Sequence, residues 1–293
     1  MARTPPAELG VDAGLVRRLL ADQHPDLAEL PVRAAASGWD NVVHRLGDRL
    51  AVRTPRRQAA AALVRHEQRW LPGLAPGLPV PVPVPLRTGA PTAYYPWHWS
   101  VVPWFPGASA LTLPPGRRDT LAPSLADFLL ALHRPAPPGA PSNRFRGVPL
   151  AARDAVVRER LAGADARLLA VCERALAAPE WDGPPVWLHG DPHPANLVVD
   201  GDRLEAVVDF GDLTAGDPAT DLAAGWLVFG RAGRQVLRAR VGPSQDTWVR
   251  AAGWALAIGS ALLTTSDDAP AMRAVGDHAL AALAHGDGGA DGS

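Results

Sequence analysis

A chain of 293 residues, 47% apolar and 20% charged with a net charge of −1, can bury a sizeable core in one or two domains, and it lacks the positive balance and dense basic patch of a nucleic-acid binder. It has no lysine, all 29 basic residues being arginine, which excludes Schiff-base chemistry and the phosphate loop G-x-x-x-x-G-K-S/T. The single cysteine, Cys172, allows neither an internal disulfide nor a cysteine zinc cluster; the opening MARTPPAELG has no signal-peptide core and no apolar run nears ~18 residues, so a soluble cytoplasmic protein without membrane contact is expected.

In chain order, Val11 to Leu20 predicts a short helix, and the runs Asn41 to Leu46 and Leu50 to Arg53 flank the turn Gly47-Asp48 as a β-hairpin. Arg56 to Leu71 has helical spacing and no Gly or Pro before Pro72. From Leu78 to Pro85 every second residue is proline, which fixes φ and removes backbone donors, so this stretch is an extended connector outside any central strand. Tyr94 to Trp104 is rich in aromatic and β-branched residues and predicts a strand ending at Pro103, followed by the turn Phe105-Pro106-Gly107.

Helix then dominates: Leu121 to His133, one or two helices in Ala151 to Ala178, then Pro218 to Phe229, Gln235 to Val241, Trp248 to Thr264 and Ala271 to Ala284. A proline-rich loop, Pro135 to Pro141, interrupts them. The other interruption is Trp187 to Asp209, where Leu197 to Val199 and Leu204 to Val208 are joined by Asp200-Gly201-Asp202 as a second hairpin. The domain division expected is 1–104 and 105–284, with 285–293 a disordered tail.

The chemistry lies around that second hairpin. His189-Gly190-Asp191 is followed five positions after the aspartate by Asn196, and thirteen positions later by Asp209-Phe210-Gly211. A loop before the first strand and a turn after the second bring Asp191, Asn196 and Asp209 to one end of the hairpin. Phosphoryl transfer needs this set of groups: one carboxylate to orient and deprotonate a hydroxyl, and a second carboxylate with an amide oxygen to hold Mg²⁺ against phosphates. Each tripeptide alone is an ordinary turn, but the intervals match H-x-D-x-x-x-x-N and a downstream D-F-G. His189 and His193 cannot share a helical face, because Pro192 and Pro194 forbid the helix, so His193 reads as a loop residue.

HGDPHPAN and DFGDLTAGDPATDLA resemble the catalytic and metal-binding stretches of the aminoglycoside phosphotransferase family, whose fold is similar to that of protein kinases. The resemblance implies an α/β (α+β) fold of two lobes, a small β-rich N-lobe for nucleotide and a larger helical C-lobe for acceptor. It implies Asp191 as base, Asn196 and Asp209 as Mg²⁺ ligands, and His189, Asp217 and Asp221 as supports of the catalytic loop; the role of Asp212 stays open. On the nucleotide side it points to Val102 and Trp104 at the hinge and Ser37 and Gly38 in the phosphate-capping turn. Arg53 stands where kinases carry a strand lysine, with Glu67 as its partner, although the face bearing Glu67 suits solvent equally.

The family includes kinases for aminoglycosides, macrolides, choline, homoserine and sugars, and a non-catalytic nucleotide-binding relative is the alternative from another class. Residues 1–100 carry 12 arginines against 8 acids, and residues 246–293 carry six acids against two arginines. That split suits ATP or GTP on one side and a polycationic antibiotic on the other, although solvated surface alone produces such biases. The reading favoured is an ATP- or GTP-dependent kinase of an aminoglycoside-type antibiotic, hence an antibiotic-resistance enzyme, its oligomeric state left open.

Overall fold

The computed structural model describes residues 5–286. In its first half, strands β1 (Val32–Ser37), β2 (Asn41–Leu46), β3 (Leu50–Pro55), β4 (Arg87–Gly89) and β5 (Trp99–Pro103) form an antiparallel sheet in the order β1-β2-β3-β5-β4. Helix α1 (Ala13–Gln23) starts where the Asp12 carboxylate accepts the Leu15 N–H at 2.8 Å, and it buries Val16, Leu19 and Leu20. Helix α2 (Gln58–Leu74) packs against β3 and β5. Its first N–H, on Gln58, is taken by Glu8 at 3.0 Å.

Two expectations shift here, and two strands appear that were not expected. Helix α2 runs past Pro72 to Leu74, because a proline in the last turn removes a single hydrogen bond. The strand expected from Tyr94 starts only at Trp99, with bends before it. Strands β1 and β4 carried no alternation to detect, for β1 lies at the sheet edge and buries Val32 alone, and β4 spans three residues. Gly89 in β4 is held to glycine by packing, since a Cβ there would lie 1.9 Å from the Trp99 indole.

The second half begins at β6 (Ala108–Ser109), which joins β8 (Leu197–Asp200) and β9 (Arg203–Val207) in a sheet of order β6-β8-β9. Strand β7 (Val186–Leu188) pairs antiparallel with β10 (Thr214–Gly216). The helices are α3 (Pro115–Arg118), α4 (Ala122–Leu132), α5 (Asp154–Arg160), α6 (Ala166–Ala177), α7 (Ala219–Leu222), α8 (Ala224–Leu227), α9 (Arg231–Val241), α10 (Gln245–Thr265) and α11 (Pro270–His285). The single helix expected over 218–229 is the two short pieces α7 and α8. Of the expected tail, His285 still belongs to α11, Gly286 follows it, and residues 287–293 lie outside the described residues.

Two cores result. The smaller one gathers Val16, Leu20, Val52, Tyr95, Trp99 and Val101 between α1 and the first sheet. The larger one holds the helices, and it also takes in Leu71, Leu74, Val80 and Val82, so α2 and the proline connector are rooted in it before the chain reaches residue 104. The connector's Pro81 carbonyl accepts the Val207 N–H at 3.0 Å, tying it to the second hairpin. The cleft lies between the first sheet and that hairpin.

Candidate active site

Strand β7 delivers the chain into the loop His189-Gly190-Asp191. Gly190 has φ +88° and approaches the loop after the D-F-G turn so closely that a Cβ would sit 2.4 Å from the Asp212 carbonyl oxygen, so both the backbone conformation and the space require glycine. The fully buried Asp221 of α7 accepts the N–H groups of His189 and Gly190, each at 2.8 Å, and His133 Nε2 lies 3.1 Å from the same carboxylate. His189 Nδ1 accepts the Asp191 N–H at 3.2 Å, so its proton is on Nε2, which donates to the Val208 carbonyl at 3.0 Å. The His189 ring thus bridges the start of the loop to the end of β9.

Asp191 projects into the cleft with about a quarter of its side chain exposed, between two cations. Arg146 donates from Nε to the Gly190 carbonyl at 2.7 Å and from Nη2 to Asp191 Oδ1 at 3.3 Å. His193 Nε2 stands 3.2 Å from Asp191 Oδ2. Burial opposes the charge of Asp191, but His193 and Arg146 outweigh it and hold the carboxyl well below the usual range. Burial likewise opposes protonation of His193, and Asp191 outweighs that to raise the imidazole. His193 does sit in a loop as expected from its prolines, yet its ring faces the aspartate.

At the open end of the β8–β9 hairpin, next to this loop, the Asn196 carbonyl accepts the Val208 N–H at 2.9 Å, and β8 and β9 pair from Leu197 opposite Val207. Asn196 and Asp209 therefore leave the hairpin side by side. Asn196 Nδ2 donates to the Asp191 backbone carbonyl at 2.9 Å, which locks the loop onto the hairpin. Asp209 has φ +62°, the one non-glycine residue with positive φ among the described residues, a conformation costing on the order of 1 kcal/mol. Its side chain is 54% exposed.

Arg53, from the middle of β3, spans the gap between sheet and hairpin. Its Nη1 meets Glu67 of α2 at 3.1 Å and its Nη2 meets Asp209 Oδ1 at 2.5 Å. With its amide oxygen turned toward the guanidinium, Asn41 adds a contact of 3.0 Å to Nη2. The face bearing Glu67 is buried, not solvated, and burial pushes that carboxyl up to about 7 against the pull of Arg53. Arginine makes this double contact because its planar fork reaches two carboxylates at once, which an ammonium on one stem does less well.

The remaining expected residues separate. Ser37 and Gly38 lie at the β1–β2 turn, where Arg56 Nη1 donates to the Ser37 hydroxyl and the Gly38 carbonyl, each at 3.0 Å. Val102 is buried in β5 opposite Ala51, and the Trp104 N–H donates to the Arg49 carbonyl at 2.8 Å. Asp217, expected to brace the catalytic loop beside Asp221, instead holds Arg250 of α10 at 2.7 Å and caps the Ala219 N–H at 2.9 Å. It anchors α7 to α10, one step behind the loop. Sequence reasoning missed Arg146 and Asn143, which donates to Asp212 Oδ1 at 2.6 Å. Their segment carries no motif; its one signal was the cluster of Asn, Arg and Gly after a proline-rich loop.

Among the described residues no group of three or more His, Cys, Asp or Glu side chains is gathered as a metal cage. Magnesium is commonly held by one or two protein oxygens and completed by phosphates and water. The half-exposed Asp209 carboxylate, and the amide oxygen of Asn196 left over once its nitrogen donates to Asp191, fit that pattern.

Residues 31–254 match the phosphotransferase enzyme family. No curated protein sequence matches. Among solved structures, an aminoglycoside 2'-phosphotransferase-IIIa in complex with GDP superposes with TM-score 0.70 at 18% identity, covering 94% of this chain and 99% of that one. A macrolide 2'-phosphotransferase from Brachybacterium faecium superposes with TM-score 0.63 at 25% identity, covering 90% and 97%. An ADP-bound aminoglycoside phosphotransferase gives TM-score 0.57 at 16% identity over 93% and 98%. These likenesses establish the kinase-like fold.

Proposed function

The chain belongs to the phosphotransferase enzyme family, and from that premise we propose that it moves the γ-phosphate of ATP or GTP to a hydroxyl of a small molecule, with Asp191 as base. The observation that carries this reading is the convergence of Asp191, Asn196 and Asp209 at one end of the β8–β9 hairpin, with Arg53 reaching Asp209 from the opposite sheet. Nucleotide complexes among the structural relatives support a nucleoside triphosphate as donor.

In the proposed reaction the acceptor hydroxyl donates to a carboxylate oxygen of Asp191 and its oxygen attacks the γ-phosphorus. The bond from that phosphorus to the β-bridging oxygen breaks, nucleoside diphosphate leaves, and Asp191 takes the proton. Arg146 on Oδ1 and His193 on Oδ2 fix the plane of the carboxylate and keep it ionised, which makes it a weak base. A weak base suits a loose transition state in which the proton moves late and orientation matters more than basicity. Asn196 and Asp209 would hold Mg²⁺, which supplies charge neutralisation for the phosphates. Arg53, Glu67 and Asn41 form the donor-side anchor, with the guanidinium presented to the α- and β-phosphates. Val102 and Trp104 would face the base at the hinge, and Ser37 and Gly38 would cap the phosphates.

For the acceptor, relatives named for aminoglycosides and macrolides leave the class open. The acidic bias of the C-terminal segment supports an aminoglycoside weakly, because Asp267 is spent on Arg273 and the groups meeting Asp191 are basic. The test is Mg²⁺-dependent release of nucleoside diphosphate from ATP and GTP across hydroxyl-bearing acceptors. Release that requires Asp191 supports a kinase; nucleotide binding with no release under any acceptor, or release unchanged in Asp191→Ala, overturns it.

A further inference from the structure

Around Arg146, which holds Asp191, the protein gathers further arginines that the proposed reaction does not use. Arg146 touches the loop, and Phe145, its neighbour, is 43% exposed with Arg144 Cζ 4.5 Å and Arg153 Cζ 5.3 Å from its ring. Arg153 ends the turn before α5 and Arg160 ends α5, seven residues apart and so on one helical face, with buried Val157 between them. Among the described residues Arg160 makes one hydrogen bond, from Nη1 to the Ala257 carbonyl at 3.5 Å.

None of Arg144, Arg153 and Arg160 has a carboxylate within ion-pair distance among the described residues; Asp154, next to Arg153, is taken by Arg158 at 2.7 Å, and Glu159, next to Arg160, favours its charge without pairing with it. Asp191 and Asp212 favour the charge of Arg146, which Asp191 meets at 3.3 Å, but neither lies within ion-pair distance of Arg153 or Arg160. Burial, and then the repulsion of Arg146 and Arg160, disfavours the charge of Arg153; at Arg160 burial and Arg146 disfavour the charge and outweigh the attraction of Glu159. Like charges held together and partly out of water cost free energy unless an anion completes them.

We propose that Arg153 and Arg160, with Arg146 and the exposed Phe145 between them and the catalytic loop, form an acceptor subsite for an anionic group, so that the phosphorylated molecule is a hydroxyl compound bearing a carboxylate or a phosphate. The assignment rests on the phosphotransferase reading for its location beside Asp191. It excludes a polycationic aminoglycoside as the preferred acceptor, because such a molecule would meet several guanidinium groups at close range. Arginine is suited to the task, since its planar fork pairs with both oxygens of a carboxylate or phosphate and its face stacks on Phe145.

The experiment uses the whole protein with Mg²⁺ and ATP or GTP and five probes of graded charge: gluconate, glucose 6-phosphate, glucose, glucosamine and kanamycin. Nucleoside diphosphate release and calorimetric binding are both read, in wild type, in Arg153→Gln/Arg160→Gln, and in the charge-conserving Arg153→Lys/Arg160→Lys, with thermal melting as the check on folding. The expected result is that an anionic probe binds and turns over in preference to glucose, that the glutamine pair weakens it by about tenfold or more, and that the lysine pair restores much of the loss. Gluconate against glucose 6-phosphate tells a carboxylate from a phosphate. Kanamycin or glucosamine as the best probe, an unchanged anion affinity in the glutamine pair, or no binding by either anion overturns the subsite. Anion binding that depends on both arginines without any nucleotide turnover leaves the subsite standing and removes the kinase reading; Asp191-dependent turnover of neutral or cationic probes alone does the reverse.

Discussion

On the two sides of the cleft an arginine meets an aspartate, but the pairs are built differently. On the side proposed for the nucleotide, Arg53, Glu67 and Asp209 come from a strand, a helix and the open end of a hairpin, and Asp209 keeps 54% of its side chain open. On the side proposed for the acceptor, Asp191 is 23% exposed, flanked by His193 of its own loop and by Arg146 of a neighbouring one. In the role proposed for it, holding Mg²⁺ beside the phosphates, Asp209 needs an open coordination face and a partner able to shift. An aspartate that must aim at one hydroxyl needs its plane fixed, and two donors on different oxygens do that.

The largest test of this contrast removes the aspartates. Asp191→Ala is expected to lower kcat by about 10²–10⁴ with nucleotide affinity retained, whereas Asp209→Ala loses Mg²⁺-dependent nucleotide binding; titration calorimetry alongside turnover separates the two, and equal effects on affinity would erase the distinction. Behind the loop, Arg250→Ala leaves buried Asp217 unpaired and is expected to cost about 3–5 kcal/mol in denaturant unfolding. A loss near zero would mean that Asp217 is satisfied by the Ala219 cap alone.

The arginines sharpen the comparison next. Arg53→Met should raise the nucleotide KM by about 10- to 100-fold, and Arg146→Met should leave that KM in place while lowering kcat and moving its acid limb to higher pH. Loss of Arg146 removes one of the cations that depress Asp191, hence the direction of that shift. The smallest effect belongs to His193→Asn. The folded imidazole lies above its ordinary 6.5, so its ion pair with Asp191 contributes stability that is present below pH 6.5 and disappears as pH rises through the raised value. Thermal melts should show the variant destabilised by about 2 kcal/mol in mild acid and by little at alkaline pH; a pH-independent difference would mean the pair is not charged.

The residues expected at the site divide by how far along the chain their partners lie. His189, Asp191 and Asn196 were legible because a short loop and a tight hairpin leave few ways to arrange them, and turn chemistry dictates that hairpin. Arg53 was found only as the cation in the place of a missing lysine, and its burial against Glu67 could not be read from a helix face with charges on both sides. Arg146 and Asn143 were not found at all, since nothing local distinguishes an arginine that reaches Gly190, 44 residues later, from one in water. Asp217 and Asp221 show the same limit, for they sit four residues apart in one motif and differ only in what α10 and the loop bring to them.

By itself the sequence determined the helices with clean apolar periodicity, the two hairpins, the extended proline connector and the convergence of Asp191, Asn196 and Asp209, because each depends on backbone preferences and spacing within a few turns of chain. Only the tertiary structure decided the edge strands β1 and β4, the rooting of the connector in the larger core, the Arg53 bridge across the cleft and the arginine patch beside Asp191. Those depend on which distant segments share a dry surface, where an unpaired charge or an unfilled contact costs enough to choose the partner.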